Sequence, residues 1–157
     1  SSVARSASGD FLIMAAEQRL VHLDLRTYNS TEWHALLPIS RIAVSSSGEC
    51  VATAGKSETG GVYEFWNTWQ SDRSVGCVEH SASFPSVAID STGSVAAFND
   101  GRAVRLVRHR DQKLLTKVRQ PDALVAFTAD GSGLITVSNP SVRPPKLRRW
   151  EISYLNY

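Results

Sequence analysis

The stretch Ser47-Gly48-Glu49-Cys50-Val51-Ala52-Thr53-Ala54 joins a turn of small residues to a short apolar run, and this arrangement recurs along the chain. Equivalent stretches begin at Ser8-Gly9-Asp10, at Thr92-Gly93-Ser94 and at Asp130-Gly131-Ser132. Their glycines are separated by 39, 45 and 38 residues. A self-similar period of this length is typical of repeat architectures, so the repeat decides the fold before any local pattern does.

A second landmark keeps the same period. Downstream of each glycine, an alternating segment ends in one comparable slot, which contains Leu23-Asp24, Trp66-Asn67, Val107-Arg108 and Trp150-Glu151. These pairs are 43, 41 and 43 residues apart. Two separate landmarks with one period indicate four copies of one structural unit.

Each unit has the pattern of β-structure. Short runs rich in Val, Ile, Ala and Phe alternate with turns of Gly, Ser, Asn and Asp. Asn99-Asp100-Gly101 predicts a tight hairpin, because these residue types tolerate the positive φ angle that such a turn requires. No segment combines helical apolar spacing with helix caps. The sequence therefore predicts an all-β fold.

These features resemble WD-repeat β-propellers, in which a blade of four antiparallel strands takes about 40–45 residues and a Trp-Asp pair closes the third strand. Trp66-Asn67 and Trp150-Glu151 are near matches to that pair. The resemblance assigns four further residues to the hydrogen-bond network of the family, namely a strand hydroxyl, two histidines at blade openings and a turn aspartate: Thr53, His34, His80 and Asp100. No single repeat carries the complete set of family residues.

The resemblance predicts a partial propeller over residues 1–157, with blades at roughly 1–38, 39–80, 81–120 and 121–157. The first blade starts directly at its inner strand, and the last has too few residues for a normal outer strand. We therefore expect an incomplete ring, either a segment of a larger propeller or one completed by a partner. Closure would remove the exposed strand edges, which otherwise promote aggregation.

Catalytic, metal and cofactor patterns are missing from the sequence. No serine lies in a Gly-x-Ser-x-Gly turn, no Cys-x-x-Cys or paired-histidine spacing occurs, and no phosphate-binding glycine loop is found. An enzyme with a site in the central channel is a third alternative, but the first strands carry apolar residues typical of a packed interior: Ile42, Val44, Val87, Ile89, Val125 and Phe127. We expect a non-enzymatic protein without catalytic residues, metal or cofactor. Asp10, Asp90 and Asp130 are interpreted as caps of first-strand turns.

The compartment is predicted from what the sequence lacks. No apolar run approaches the length of a membrane-spanning helix, and the N-terminus does not resemble a secretory signal. Cys50 and Cys77 are interpreted as two buried free thiols rather than as a redox pair or zinc ligands. These features favour an intracellular protein of the nucleus or cytoplasm that does not contact membranes.

Charge is distributed unevenly along the chain. Residues 1–100 contain 6 basic and 11 acidic side chains, whereas residues 101–157 contain 11 basic and 4 acidic ones. Basic side chains fall in the last two predicted blades, where the candidate binding surface comprises Arg102, Arg105, Arg108, Arg110, Arg143, Lys146, Arg148 and Arg149. Such a surface would attract phosphate backbones or acidic proteins. The structural alternatives are a solvated outer strand, or pairing with acidic groups from residues 1–100 or from neighbouring blades.

The favoured function is a scaffold that holds other proteins in a larger assembly through loop tips and strand edges. Exposed aromatic side chains would serve as hot spots, with Trp33, Trp69 and Tyr63 as candidates, although each could instead pack between blades. The alternative is an RNA-associated propeller, in ribosome assembly or RNA processing, whose basic face at residues 102–149 binds phosphates. The two hypotheses differ in the salt dependence of binding.

Overall fold

The computed structural model describes residues 1–69, 76–138 and 144–152. Within these ranges it contains fifteen β-strands and no α-helix, which confirms the all-β prediction. The strands are β1 (Ser2–Arg5), β2 (Phe11–Ala16), β3 (Arg19–Asp24) and β4 (Ser30–His34); β5 (Ile39–Val44), β6 (Cys50–Lys56), β7 (Gly61–Asn67) and β8 (Gly76–His80); β9 (Val87–Ile89), β10 (Val95–Asn99), β11 (Val104–Arg108) and β12 (Leu114–Val118); and β13 (Leu124–Phe127), β14 (Gly133–Val137) and β15 (Leu147–Glu151).

The strands form four separate antiparallel sheets in chain order, the blades of an incomplete ring. The first three blades have four strands each, and the fourth has β13, β14 and β15 among the described residues. Each sheet lies inside one of the four ranges 1–38, 39–80, 81–120 and 121–157. None of the sheets closes on itself as a barrel.

The same turn joins the first and second strands of every blade. Its glycines have positive φ angles, which L side chains rarely adopt: Gly9 (80°), Gly48 (82°), Gly93 (79°) and Gly131 (70°). The residue three positions before each glycine accepts a hydrogen bond, at 2.8–3.1 Å, through a side-chain oxygen. The donor is the backbone N–H two positions after the glycine, and the acceptors are Ser6, Ser45, Asp90 and Thr128. The recurring glycine is therefore explained by one hydrogen-bonded turn.

Two of the three aspartates predicted to cap these turns do so. Asp90 accepts the N–H of Val95, and Asp130 accepts the N–H of Ser132 at 3.1 Å together with two hydroxyl hydrogen bonds. Those hydroxyls are the main reason that the pKa of Asp130 is held at about 2. The prediction for Asp10 is wrong, because its carboxylate faces Arg26 at 3.9 Å and the hydroxyl of Ser8 caps the turn instead.

The second landmark occupies one register position in all four blades. The first member of each pair lies opposite the second residue of the second strand: Leu12↔Leu23, Val51↔Trp66, Ala96↔Val107 and Leu134↔Trp150. Thr53, which the resemblance assigned as a strand hydroxyl of the hydrogen-bond network, accepts a hydrogen bond from Trp66 Nε1 at 3.1 Å. Thr136 accepts one from Trp150 Nε1 at 2.9 Å. Asp100 caps its hairpin by accepting the N–H groups of residues 102 and 103.

The first strands β1, β5, β9 and β13 lie side by side in chain order around the ring. Backbone hydrogen bonds connect the blades there, from Ser8 N to Ser46 O at 3.2 Å and from Ser46 N to Ser91 O at 3.0 Å. The apolar side chains of these strands pack against clusters between successive blades, as the sequence predicted; examples are Ile42 and Val44. The hydrophobic core is thus divided among the three blade interfaces.

Several side chains lie elsewhere than the sequence suggested. Trp33 and Tyr63 are 1% and 0% exposed, so they pack between blades and are not surface hot spots, whereas Trp69 is 60% exposed. Cys50 is half-buried and Cys77 is exposed, which corrects the expectation of two buried thiols. Both differences arise because alternation along a strand does not reveal which of its two faces a neighbouring blade will cover.

Candidate functional site

The predicted basic surface divides into ion-paired and unpaired members. Arg105 pairs with Asp100 within one hairpin, and Arg108 pairs with Asp111 at 3.1 Å. For the other described members, no carboxylate of the described residues lies within 4.0 Å; these are Arg102, Arg110, Lys146, Arg148 and Arg149. Arg143 lies outside the described residues. Two of the seven described members are therefore ion-paired, and five have no carboxylate partner among the described residues.

Two of the arginines lie on one cleft between the second and third blades. Arg108 and Arg110 line this cleft of about 450 Å³ together with the exposed ring of Trp69. His109 lies between them, and its Nε2 is 3.2 Å from Val51 O of the neighbouring blade. Because Arg108 is paired with Asp111, Arg110 is the arginine of this cleft that is more available to a ligand.

A larger cleft lies between the third and fourth blades, and we call it the lateral cleft. Its volume is about 540 Å³, and it runs between β12 on one side and β14 and β15 on the other. Its apolar lining comprises Leu106, Leu115, Val118, Leu134, Trp150 and Ile152. The deepest members, Leu106 and Leu134, are 1% and 0% exposed, so the floor belongs to the core of this interface.

Cations surround this apolar floor. Lys117, Arg119 and Arg148 line the lateral cleft, and Glu151 is the one acidic residue among the described residues that line it. The guanidinium of Arg148 lies over the ring of Trp150, 5.9 Å from its centroid, as in a cation–π contact. Stacking leaves the guanidinium N–H groups available to an incoming carboxylate. The lateral cleft thus combines an apolar floor with a positively charged rim.

One difference between the first and third blades lies at this cleft. In the first blade, Trp33 on β4 lies opposite Leu20 and packs against Trp66 of the second blade, with ring centroids 6.0 Å apart. In the third blade, the equivalent position opposite Val104 is occupied by Val118. The fourth blade supplies Trp150 in the slot of Trp66, but the small valine leaves that ring half-buried.

The indole of Trp150 is fixed from behind by a buried chain of hydrogen bonds. Its Nε1 donates to the hydroxyl of Thr136, which donates to Oε1 of Gln120 at 2.6 Å. Thr136 and Gln120 are 0% and 6% exposed. Because the ring is held by these groups, its orientation at the cleft is defined before any partner binds.

The histidines are mostly structural. Burial lowers the pKa of His22, His80 and His109, so each is neutral near pH 7. His80 Nε2 lies 3.2 Å from Gly55 O, consistent with the structural role implied at a blade opening. His34 does not take that role, because it is exposed and its Nε2 lies 3.7 Å from Glu32. No cluster of three potential metal ligands occurs within the described residues.

The sequence pointed to part of this site and missed the rest. Arg148 belongs to the predicted surface, and Lys117 and Arg119 fall in the same basic half. The apolar floor and the role of Val118 were missed. The equivalence of Val118 and Trp33 follows from the strand register and not from the sequence spacing, so the repeat alone did not reveal it.

Comparisons with known proteins support the fold without naming a family. No protein-family model and no curated protein matches the chain. Among solved structures, hydrazine synthase of Kuenenia stuttgartiensis superposes with a TM-score of 0.72 at 14% sequence identity, over 96% of this chain and 45% of that one. The chain therefore spans less than half the length of this neighbour. At this identity the likeness shows a shared fold alone. In the described part of the chain, no helix is long and apolar enough to cross a membrane.

Proposed function

We propose that this chain is a non-catalytic, WD-repeat-like scaffold that binds other proteins within a larger assembly, and that the lateral cleft is its principal binding site. The observation that carries the proposal is the apolar floor of the cleft beneath a rim of unpaired cations. Partly desolvated apolar pockets with a fixed aromatic ring and arginine are typical of hot spots in protein interfaces. Trp150 and Arg148 supply these two elements.

A binding role also agrees with how the polar groups are used. His22, His80 and His109 are buried in packing, where their pKa values are lowered by burial. The hydroxyl and carboxylate groups of the first-strand turns are engaged in hydrogen bonds that hold those turns. These polar groups therefore stabilise the fold, which leaves the lateral cleft as the proposed surface for partners.

The alternative, an RNA-associated propeller, is favoured by the unpaired basic side chains outside the cleft. Arg102, Arg110, Lys146 and Arg149 have no carboxylate of the described residues within 4.0 Å. Phosphate contacts of this kind require cations but no apolar floor, and they weaken steeply as salt increases. The lateral cleft therefore favours a polypeptide partner over a nucleic acid.

We further propose that other blades complete the ring, from a longer chain or from a partner. The outer face of the first blade carries half-exposed Met14 and Val21, and the fourth blade exposes Leu147 to 70%. Each repeat normally buries both of its faces against neighbours. An intracellular site, in the nucleus or cytoplasm, is proposed from the free thiols of Cys50 and Cys77.

A pulldown from cell extract tests the function. The native chain, Arg148→Glu and the control Arg41→Glu are compared at low and high salt, with and without nuclease; Arg41 is an exposed arginine on β5. We expect the native chain and Arg41→Glu to retain protein partners after nuclease treatment and at high salt. We expect Arg148→Glu to lose them. Partners that vanish with nuclease and with salt would establish the RNA alternative instead.

A further inference from the structure

The cleft between the second and third blades has an exposed indole on one wall and two arginines on the other, and we call it the Trp69 cleft. The second blade contributes Cys50 and the ring of Trp69, whereas the third contributes Arg108 and Arg110. Trp69 is 60% exposed. The two arginines are held in place by the buried His109 between them, whose Nε2 lies 3.2 Å from a backbone carbonyl of the second blade.

The repeat shows what the first blade places at the position of Cys50. Phe11 and Cys50 each donate their backbone N–H to the serine that caps the preceding first-strand turn, so the two positions are equivalent. Each side chain then contacts the turn glycine of the next blade. A Cβ at Gly48 would lie 2.9 Å from Phe11 Cγ, and a Cβ at Gly93 would lie 2.8 Å from Cys50 Sγ. The Trp69 cleft therefore has a thiol at the position where the preceding interface has an aromatic ring.

Trp69 occupies the position that Arg26 has in the first blade. The residues that precede them, Leu25 and Thr68, donate equivalent backbone hydrogen bonds, at 2.7 and 2.8 Å, to the residue after the turn glycine of their own blade. The guanidinium of Arg26 lies over the ring of Phe11, 5.6 Å from its centroid. A planar ring bound in the Trp69 cleft at the place of Phe11 would therefore meet an indole where Phe11 meets a guanidinium.

Charge differs between the two ends of the Trp69 cleft. Burial, together with the carboxylates of Glu49 and Asp90, raises the pKa of the Cys50 thiol to about 11, so this end does not favour an anion. At the other end, no carboxylate of the described residues lies within 4.0 Å of Arg110, and the nearby Asp111 is paired with a different arginine. An anionic ligand would therefore place its charge at Arg110 and its uncharged part beside Cys50.

We propose that the Trp69 cleft binds a nucleotide, whose base stacks on the Trp69 indole beside Cys50 and whose phosphate is bound by Arg110. A cleft of about 450 Å³ is large enough for one nucleotide. Aromatic rings next to cationic side chains bind the bases of single-stranded nucleic acids in this way. The thiol of Cys50 and the hydroxyl of Ser94 line the cleft and can hydrogen-bond the polar edge of a base, which the hydrocarbon ring of an aromatic side chain lacks. The proposal goes beyond the scaffold function, because the lateral cleft takes no part in it.

The probe is adenosine monophosphate, titrated against the full chain by isothermal titration calorimetry. Adenosine, which lacks the phosphate, and ribose 5-phosphate, which lacks the base, serve as comparisons. We expect each of them to bind at least about tenfold more weakly than the nucleotide. Equal binding of either comparison would overturn the proposal. A phosphotyrosine amide that binds as tightly as the nucleotide would show that the cleft takes a side chain of a partner protein instead.

Substitution of Trp69 tests the stacking. Trp69→Ala should weaken nucleotide binding by about tenfold, because one stacked base contributes this much or more, whereas Trp69→Phe should retain most of the binding. The matched control is Tyr28→Ala, since Tyr28 is 79% exposed in the corresponding hairpin of the first blade. The nucleotide should quench the tryptophan fluorescence of the native chain but not that of Trp69→Phe. Equal weakening by Tyr28→Ala would overturn the role of Trp69.

Two further variants test the location. Cys50→Phe introduces the ring of the first blade at the place of the base, and Arg110→Glu reverses the charge at the place of the phosphate; the controls are Cys77→Phe, at an exposed cysteine, and Arg41→Glu. We expect each cleft variant to weaken nucleotide binding by at least about tenfold and each control to leave it unchanged. Circular dichroism checks folding, and Arg110→Glu carries the test if Cys50→Phe does not fold. Binding that survives in both folded cleft variants would overturn the assignment to this cleft.

An oligoadenylate distinguishes a free nucleotide from one unit of a single strand. Both sources support the site if binding depends on Trp69, and tighter binding of the oligoadenylate identifies the single strand as the ligand. Arg102→Glu tests the basic side chains outside the cleft, because Arg102 lies in the turn between β10 and β11. An equal loss of oligoadenylate binding in Arg102→Glu and Arg110→Glu would overturn the proposal in favour of a general basic surface. If adenosine monophosphate does not bind, the proposal is wrong and the scaffold function, which rests on the lateral cleft, is unaffected.

Discussion

The interface between the first and second blades and the interface between the third and fourth blades are built from equivalent strands but differ in how they end. In the former, Trp33 and Trp66 are each 1% exposed and close the outer end of the interface. In the latter, Val118 and Trp150 occupy the equivalent positions, and a cleft of about 540 Å³ remains. Both tryptophans of the common slot donate their Nε1–H to a threonine hydroxyl.

The comparison shows that blades with the same strand arrangement can carry side chains of very different size at one position of the outer strand, Trp33 in the sealed interface and Val118 in the open one. Close packing makes a tryptophan-to-valine difference large enough to leave a cavity or cleft, because neighbouring strands cannot move in to fill it. A binding site can therefore arise within a repeat fold while the arrangement of strands in each blade stays the same. The predictions below alter each interface toward the other.

Opening the sealed interface should have the largest effect. Trp33→Val removes a ring that packs on Trp66 and on His22, so we expect the free energy of unfolding to fall by about 3 kcal/mol. Urea denaturation followed by circular dichroism measures the loss. The matched control is Trp69→Val, because that tryptophan is 60% exposed, and it should change stability by less than about 0.5 kcal/mol. Equal losses in both variants would contradict the sealing role of Trp33.

The periodicity of the sequence was sufficient to predict the four units and the register of their third strands. The glycine spacing located the turns, and the slot containing Trp66 and Trp150 proved to be one register position. The lateral cleft could not be predicted in the same way. It depends on which residue of an outer strand lies opposite Val104, and a register irregularity between Leu106 and Val107 makes that pairing invisible to spacing alone.

The burial of single side chains was also beyond the sequence pattern. Tyr63 lies on a third strand whose residues are buried on both faces, because blades pack on each side of it. Its hydroxyl donates to Asn99 O at 2.7 Å and accepts the N–H of Ser86, so a residue suggested as a surface hot spot connects two blades. Long-range packing of this kind is set by neighbouring repeats and not by local residue type.

The two equivalent tryptophans should respond differently to the same substitution. Trp66→Phe removes a buried hydrogen bond and leaves a cavity, at a cost of about 2 kcal/mol. Trp150→Phe removes the corresponding bond to Thr136, but the half-buried ring borders the cleft, and we expect a cost of about 1 kcal/mol. Parallel urea denaturations measure both. A larger loss for Trp150→Phe than for Trp66→Phe would show that the half-buried Trp150 contributes more to stability than the buried Trp66.

Closing the open interface should give a smaller change of the opposite sign. Val118→Trp places an indole against Trp150 and buries apolar surface that is now exposed, so we expect a gain of up to about 1 kcal/mol in the free energy of unfolding. Thr31→Trp is the control, since it adds the same side chain at an exposed position of β4. A blue shift of tryptophan fluorescence should accompany the gain. A loss of stability would mean that the cleft cannot accommodate the ring.

The smallest effect concerns a carboxylate within the sealed interface. Glu64 is 2% exposed, its Oε2 accepts the N–H of Leu36 at 2.9 Å, and burial raises its pKa above 4.5. Because the folded state favours the protonated form, the stability that Glu64 contributes is full below pH 4.5 and is lost as the pH rises through its folded-state pKa. Glu64→Gln keeps an acceptor for Leu36 and has no charge to desolvate. We therefore expect the free energy of unfolding of the variant to exceed that of the native protein by about 0.5 kcal/mol at pH 7.5. This difference should disappear as the pH falls toward 4.5, as measured by urea denaturation at a series of pH values. A variant that is less stable than the native protein at pH 7.5 would show instead that the ionised carboxylate is needed where the first two blades meet.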